Sequence, residues 1–197
     1  MRYEPVVRAY LAARWRGSGF IQELDDAAQE CFVECLRQGG VLARAQAGQP
    51  GGFRAFLFGA VRNVAMRFEK RRARDEVRGA IALESIASDE DSLSRVFDRA
   101  WATAIVREAA AHQAEIARGR GAAAIRRVEL LRLRFQEELP IREIARVWGE
   151  DAAVVHHEYA RARQEFLTAL RDVIASHHPD APEHIDRECA QILSLFS

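Results

Sequence analysis

The sequence predicts an all-α protein made of two small helical domains joined by a linker. Apolar residues recur at steps of three and four through nearly every segment, the period of a helix that buries one face. No stretch alternates apolar and polar residues with β-branched side chains for long enough to make a strand. Gly-, Pro- and Ser-containing breaks divide the periodic segments at 17–19, 39–52 and 75–95. A chain of 197 residues suits one domain or two small ones, and either buries a real core.

The elements follow in order. In "EPVVRAYLAARW", Val6, Val7, Tyr10, Leu11 and Trp15 make one apolar face, and "GSG" ends that helix. A second helix is expected from about 22 to 38, with Phe32, Cys35 and Leu36 as its core face. Its other face is acidic and polar: Asp25, Asp26, Gln29, Glu30 and Glu34. "GGVLARAQAGQPGG", 39–52, reads as loop. The third helix is "FRAFLFGAVRNVAMRFEKRRAR". Phe53, Phe56, Leu57, Val61, Val64 and Phe68 form its buried stripe, and Asn63, Arg67, Lys70, Arg71 and Arg74 fall on another face.

Residues 75–95 are mixed, acidic and Ser-containing, and read as linker. A long amphipathic helix is expected from Leu93 to about Arg118, with Val96, Phe97, Trp101, Ala104, Ile105 and Ala109 inside. "RGRG" breaks it, and "AAAIRRVELLRLRF" resumes to Phe135. Then comes a short helix, "IREIARVW", closed by Gly149, and a longer one opening at an N-cap, Asp151. A short helix, a glycine turn and a longer helix make a helix-turn-helix pattern, with Ile144, Ala145, Val147, Val155 and Tyr159 expected between the two helices. An αα-hairpin that binds no DNA has the same outline. One more helix is expected after the prolines near 180.

Charge is the first functional signal. The chain has 29 Lys+Arg and 29 Asp+Glu, a formal net of zero. Residues 53–78 nevertheless hold eight Lys/Arg and three Asp/Glu, a local net of +5. Such a patch suits phosphate, because each contact releases condensed counterions; a solvated helix face is the plainer account. Almost every cation is arginine, with Lys70 the one lysine, so arginine content alone says little about phosphate.

Other chemistries find less support. Cys31, Cys35 and Cys189 make no CxxC pair and no even framework, and read as buried small residues in a reducing compartment. His177, His178, His184 and Cys189 follow no common zinc spacing. A metal-dependent enzyme using Asp25, Asp26 and Glu30 lacks any HExxH or paired ExxH motif. The expectation is therefore a non-enzyme with no cofactor and no metal. The N-terminus lacks a signal-peptide pattern and no apolar run spans a bilayer, so a cytoplasmic protein without a membrane segment is expected.

"DDAAQECF" at 25–32, "FRAFLFGAVRNVAMRFEKRR" at 53–72 and the stretch 139–166 resemble, in order and spacing, the two conserved domains of bacterial RNA polymerase sigma factors. The best likeness is to the small extracytoplasmic-function type, which has only those domains. "FDRAWATAIVREA" is similar to the long helix that precedes the second domain in one subgroup, where a further C-terminal helix is usual. The resemblance covers nearly the whole chain, and 53–72 is its most specific part.

This resemblance implies a first domain over 1–78, a linker over 79–95, a second domain over 96–175 and a helical extension over 176–197. It implies that Asp25, Asp26, Gln29, Glu30 and Phe32 dock on the clamp helices of the polymerase β′ subunit. It assigns Arg62, Asn63, Arg67, Lys70, Arg71 and Arg74 to the −10 element of promoter DNA, with the loop 39–52 as base-reading pocket. Strand capture there repays part of the unstacking cost without ATP. It assigns Asp151, Val154, His156, His157, Glu158, Arg161 and Arg163 to the −35 duplex. His156, His157 and Glu158 depart from the basic and small polar residues usual there. Glu158 repels phosphate, although a carboxylate accepts from cytosine N4. Core RNA polymerase and promoter DNA are the implied partners, and an anti-sigma factor is a further one the resemblance admits. The departure leaves an alternative: an interaction protein that keeps the polymerase-docking surface with degenerate −35 reading.

Overall fold

The apolar periodicity does produce helices. The computed structural model describes residues 2–36, 52–79, 89–177 and 182–196. Among the described residues it contains eight α-helices and no strand. They are α1 (Glu4–Arg14), α2 (Leu24–Leu36), α3 (Gly52–Gly79), α4 (Glu90–Arg120), α5 (Ala122–Phe135), α6 (Ile141–Trp148), α7 (Ala152–Ala175) and α8 (Ile185–Ser194). A 3-10 turn at Gly19–Glu23 leads into α2, and another at Pro182–His184 leads into α8. None of these helices is long and apolar enough to cross a membrane.

The chain forms two compact units: Met1–Ala104 with His177–Pro182 and Ile192–Ser197, and Ile105–Ser176 with Glu183–Gln191. The division falls within α4, between Ala104 and Ile105, and of the expected connector over 79–95, residues 80–88 lie outside the described residues. The rest of that connector opens α4 at Asp89. Its Oδ1 accepts from the Asp91 N–H at 3.2 Å, and its carbonyl accepts from Leu93 N–H at 3.0 Å. Glu90 and Asp91 then favour the positive end of the helix. Acidic residues that read as linker composition thus form the start of α4.

In the first unit, Val6, Val7, Tyr10, Leu11 and Trp15 are all fully buried, as their spacing predicts. Opposite them α3 buries Leu57, Ala60, Val61, Val64, Ala65 and Phe68, whereas Phe53 and Phe56 are only half-buried. The core face of α2 includes Cys35 as expected but centres on smaller residues. Ala27, Ala28, Cys31 and Cys35 are buried and Phe32 is half-buried. Small side chains let α2 lie close against its neighbours, and Phe32 sits about 100° round from Cys31. Tyr3 stacks on Trp101 at 5.2 Å, and Phe53 and His177 complete the aromatic group.

A charged network runs through this interior. Arg14 is 9% exposed. It makes a forked pair with Glu69, at 2.7 and 3.0 Å, and Trp15 Nε1 donates to the same carboxylate at 2.9 Å. Arg14 also donates to Glu90 at 3.2 Å and to the Tyr10 hydroxyl at 3.4 Å. The bond to Glu69 holds the Arg14 guanidinium charged against burial, raising its pKa. Removing one member strands the other charge. Arg14→Met is expected to lower the unfolding free energy by about 3 kcal/mol, read as a lower urea midpoint at unchanged slope. Glu69→Gln, whose amide oxygen still accepts from Trp15, is expected to cost less.

Candidate nucleic-acid and partner interface

Rotation of α3 decides what it offers to ligands. With Leu57, Val61, Val64 and Phe68 inward, a step of about 100° per residue gathers Asn63, Arg67, Lys70, Arg71 and Arg74 on one outward side. Asn63, Arg67, Lys70, Arg71 and Arg74 are all exposed. Arg62 is exposed too, but lies round the opposite flank and pairs with Glu90 at 3.4 Å. The structure therefore brings five of the six −10 candidates together and leaves Arg62 apart.

The acidic helix α2 lies beside this row, and the two surfaces are not separate. Arg67 Nη2 contacts Glu34 at 2.9 Å and Glu30 at 3.5 Å, and Arg71 Nη2 contacts Glu30 at 3.4 Å. Arg71 also lies over the Phe68 ring, 4.8 Å from its centroid. Lys70 and Arg74 have no ion-pair partner among the described residues. The docking candidates divide likewise. Glu30 faces α3; Asp25 pairs with Arg8 of α1; Phe32 is half-buried on that same side. Asp26, Gln29 and Val33 form the outward crest, with Val33 53% exposed. Val33 is absent from the expected acidic face and docking set, and Glu34, expected on the acidic face, is absent from the docking set although it repeats the Glu30 face four residues on. The expected pocket over 39–52 lies outside the described residues except Gly52.

Beneath the seam, Cys31 and Cys35 are free thiols and buried. The Cys35 sulfur and burial push the Cys31 thiol up, so it stays protonated. Cys189 is buried in the second unit. Among the described residues, no three His, Cys, Asp or Glu side chains gather so as to hold a metal ion.

The second unit contains the three-helix arrangement α5–α6–α7. Leu130, Ile141, Ile144, Ala145 and Val155 form its core, with Trp148 and Tyr159 packed on the edge. Pro140 opens α6 and Gly149, at φ 66° and ψ 31°, closes it. A side chain at that left-handed position is strained, so glycine suits the turn. Asp151 Oδ1 then caps α7 by accepting from Ala153 N–H at 2.7 Å. Val147 departs from expectation at 67% exposed. The inward positions of α6 are 141, 144, 145 and 148, so Trp148 takes the place expected of Val147.

On α7, Val154, His157 and Arg161 share the outward face and are exposed. His156 and Arg163 are also exposed but lie round one flank, with Arg163 near the Tyr159 ring at 5.8 Å. Glu158 occupies the other flank and is engaged within the unit. Arg127 of α5 donates to Glu158 at 3.2 Å and makes a forked pair with Glu165 at 2.8 and 3.0 Å. Arg161 adds a contact to Glu158 at 3.4 Å. The Glu158 carboxylate thus has cations beside it, and a cytosine would have to compete with them. Gln113, buried, ties α4 to α7 by donating to the Ala162 carbonyl at 3.2 Å.

No family model, curated protein or solved structure matches this chain.

Burial opposes ionisation of Glu158, but the bonds from Arg127 and Arg161 outweigh it and hold the carboxyl below its ordinary range. A depressed carboxyl contributes stability that is present above its unfolded pKa and is lost as pH falls through the folded one. Glu158→Gln is therefore expected to be less stable than wild type near neutral pH, by at most about 1 kcal/mol after solvent screening. The gap in thermal midpoint should close as pH is lowered to about 3. An equal gap at both pH values would count against an ionised Glu158 as the cause.

Proposed function

We propose that this protein is a promoter-specificity subunit that binds core RNA polymerase, engages the −10 strand through α3 and reads duplex through α7. The single observation that carries the reading is the exposed row Asn63, Arg67, Lys70, Arg71 and Arg74 on α3, lying against the acidic edge of α2. Basic side chains at successive turns track a phosphodiester backbone, and the counterions they release supply the affinity. The helix-turn-helix of the second unit supports it, since such motifs lay the N-terminal residues of their second helix on base edges. In this reading Asp26, Gln29 and Val33 form the docking crest, and Val154, His157 and Arg161 face the major groove. The setting is cytoplasmic and the protein performs no chemistry of its own.

A second reading is favoured by one specific feature of the second unit. Phe135, Val147 and Val154 are large apolar side chains left exposed around its helix-turn-helix. Such a surface suits a protein partner better than DNA, so the second unit would be an interaction module while α2 still docks on polymerase.

Run-off transcription with core polymerase and a promoter selected from a randomised library tests both. Lys70→Ala with Arg74→Ala is expected to reduce open complexes about tenfold or more while polymerase pull-down is unchanged. Wild-type opening by that variant would remove the strand-capture role of α3. Asp26→Lys with Val33→Asp is expected to weaken the pull-down itself. Alanine at His157 and Arg161 should weaken duplex binding by the holoenzyme; undiminished promoter affinity would favour the second reading.

A further inference from the structure

Two surfaces that face different partners in the proposed function are joined here by ion pairs. Arg67 is held by Glu34 at 2.9 Å and Glu30 at 3.5 Å, and Arg71 by Glu30 at 3.4 Å. The four side chains are partly open to solvent: Arg67 and Arg71 are 44% and 60% exposed, Glu30 and Glu34 32% and 30%. Pairs of that exposure contribute little to stability. Each contact is made through one guanidinium nitrogen, Nη2 of Arg67 or of Arg71, and phosphate oxygens accept from the same donors as carboxylate oxygens do.

The seam does not let the carboxylates stand far off. Ala27, Ala28, Cys31 and Cys35 are buried on α2, and Val64, Ala65 and Phe68 on α3, so the two backbones are fixed by core packing. A phosphate reaching Arg67 or Arg71 must displace a carboxylate or share its guanidinium. Lys70 and Arg74, on the same row, carry no such counter-charge among the described residues. Among the described residues the row therefore has two cations without a counter-charge and two that are occupied.

We infer that Glu30 and Glu34 act as an internal counter-anion for Arg67 and Arg71, competing with the phosphodiester backbone of a single strand and so setting the threshold for its capture. This rests on the proposed role of α3.

The test uses the full chain and a labelled oligothymidylate of about 20 nucleotides, followed by fluorescence anisotropy across a salt series. Glu30→Gln with Glu34→Gln keeps shape and removes both charges. This variant is expected to bind about three- to tenfold more tightly at low salt. Its plot of log affinity against log salt should be steeper by about 1.4, two further phosphates at about 0.7 each. The same two substitutions in an Arg67→Ala/Arg71→Ala background should give little gain. An unchanged affinity would overturn the inference, and so would an equal gain in the arginine-less background, which marks a general effect of net charge. If Arg67→Ala/Arg71→Ala weakens binding but the glutamine variant gains nothing, the counter-anion fails and the strand-binding role of α3 stands. If no variant binds the oligonucleotide even at low salt, both fail together.

Discussion

The first unit depends on one largely buried ion pair, Arg14 with Glu69. Neither charge survives burial alone, and the cost of desolvating both is offset only because the remaining polar atoms are also engaged. Trp15 donates to Glu69, while Tyr10 and Glu90 accept from Arg14. The consequence for function is geometric. Glu69 lies on α3, and a helix has one rotation about its own axis. The rotation that turns Glu69 toward Arg14 also turns Asn63, Arg67, Lys70 and Arg74 to the surface. Glu90 extends the same network to Arg62, which explains why that arginine stands apart from the row. A buried salt bridge is a poor source of stability but a good source of register, because alternative rotations leave a charge without a partner.

The second unit sets the rotation of its long helix by the same means. Arg127 engages Glu158 and Glu165, one flank of α7 two turns long, while Val155 and Ala162 fill the core. What remains outward is Val154, His157 and Arg161. Glu158, which in sequence looks like a charge placed against DNA, is spent on fixing the helix that carries the other three. The same residue type at the same position has opposite meanings depending on a residue 31 positions away in the chain.

That distance marks where the sequence was legible. The eight helices follow from local signals, and α6 is bounded as expected because Pro140 and Gly149 act on their own neighbourhood. The α3 row was legible because period alone separates it from the stripe of Leu57, Val61, Val64 and Phe68. The start of α4 was not, because capping acids and linker acids have the same composition until Asp89 is seen to accept from Asp91. On α2, hydrophobicity favoured Phe32 over Ala27 and Ala28, but closeness of approach decides the packing and small residues win it. Arg14 gave no warning, since an arginine on a helix is ordinarily solvated. The pairing of Arg67 with Glu34 spans 33 positions, and no local rule predicts it.

Net charge is the last property that the structure changes in meaning. A total of zero suggests indifference to polyanions, yet charges further apart than about 8 Å are largely screened at physiological salt. A ligand meets the local field. On the seam of α2 and α3 that field is the difference between an arginine row and a glutamate row one helix away. Each carboxylate lowers the potential that the arginines offer, and each substitution that removes a carboxylate raises it without touching an arginine of the row. The attraction that this surface offers a phosphate is then a property of the pair of helices rather than of α3 alone. The neutral total is consistent with a surface whose attraction for phosphate is held in check by its neighbour.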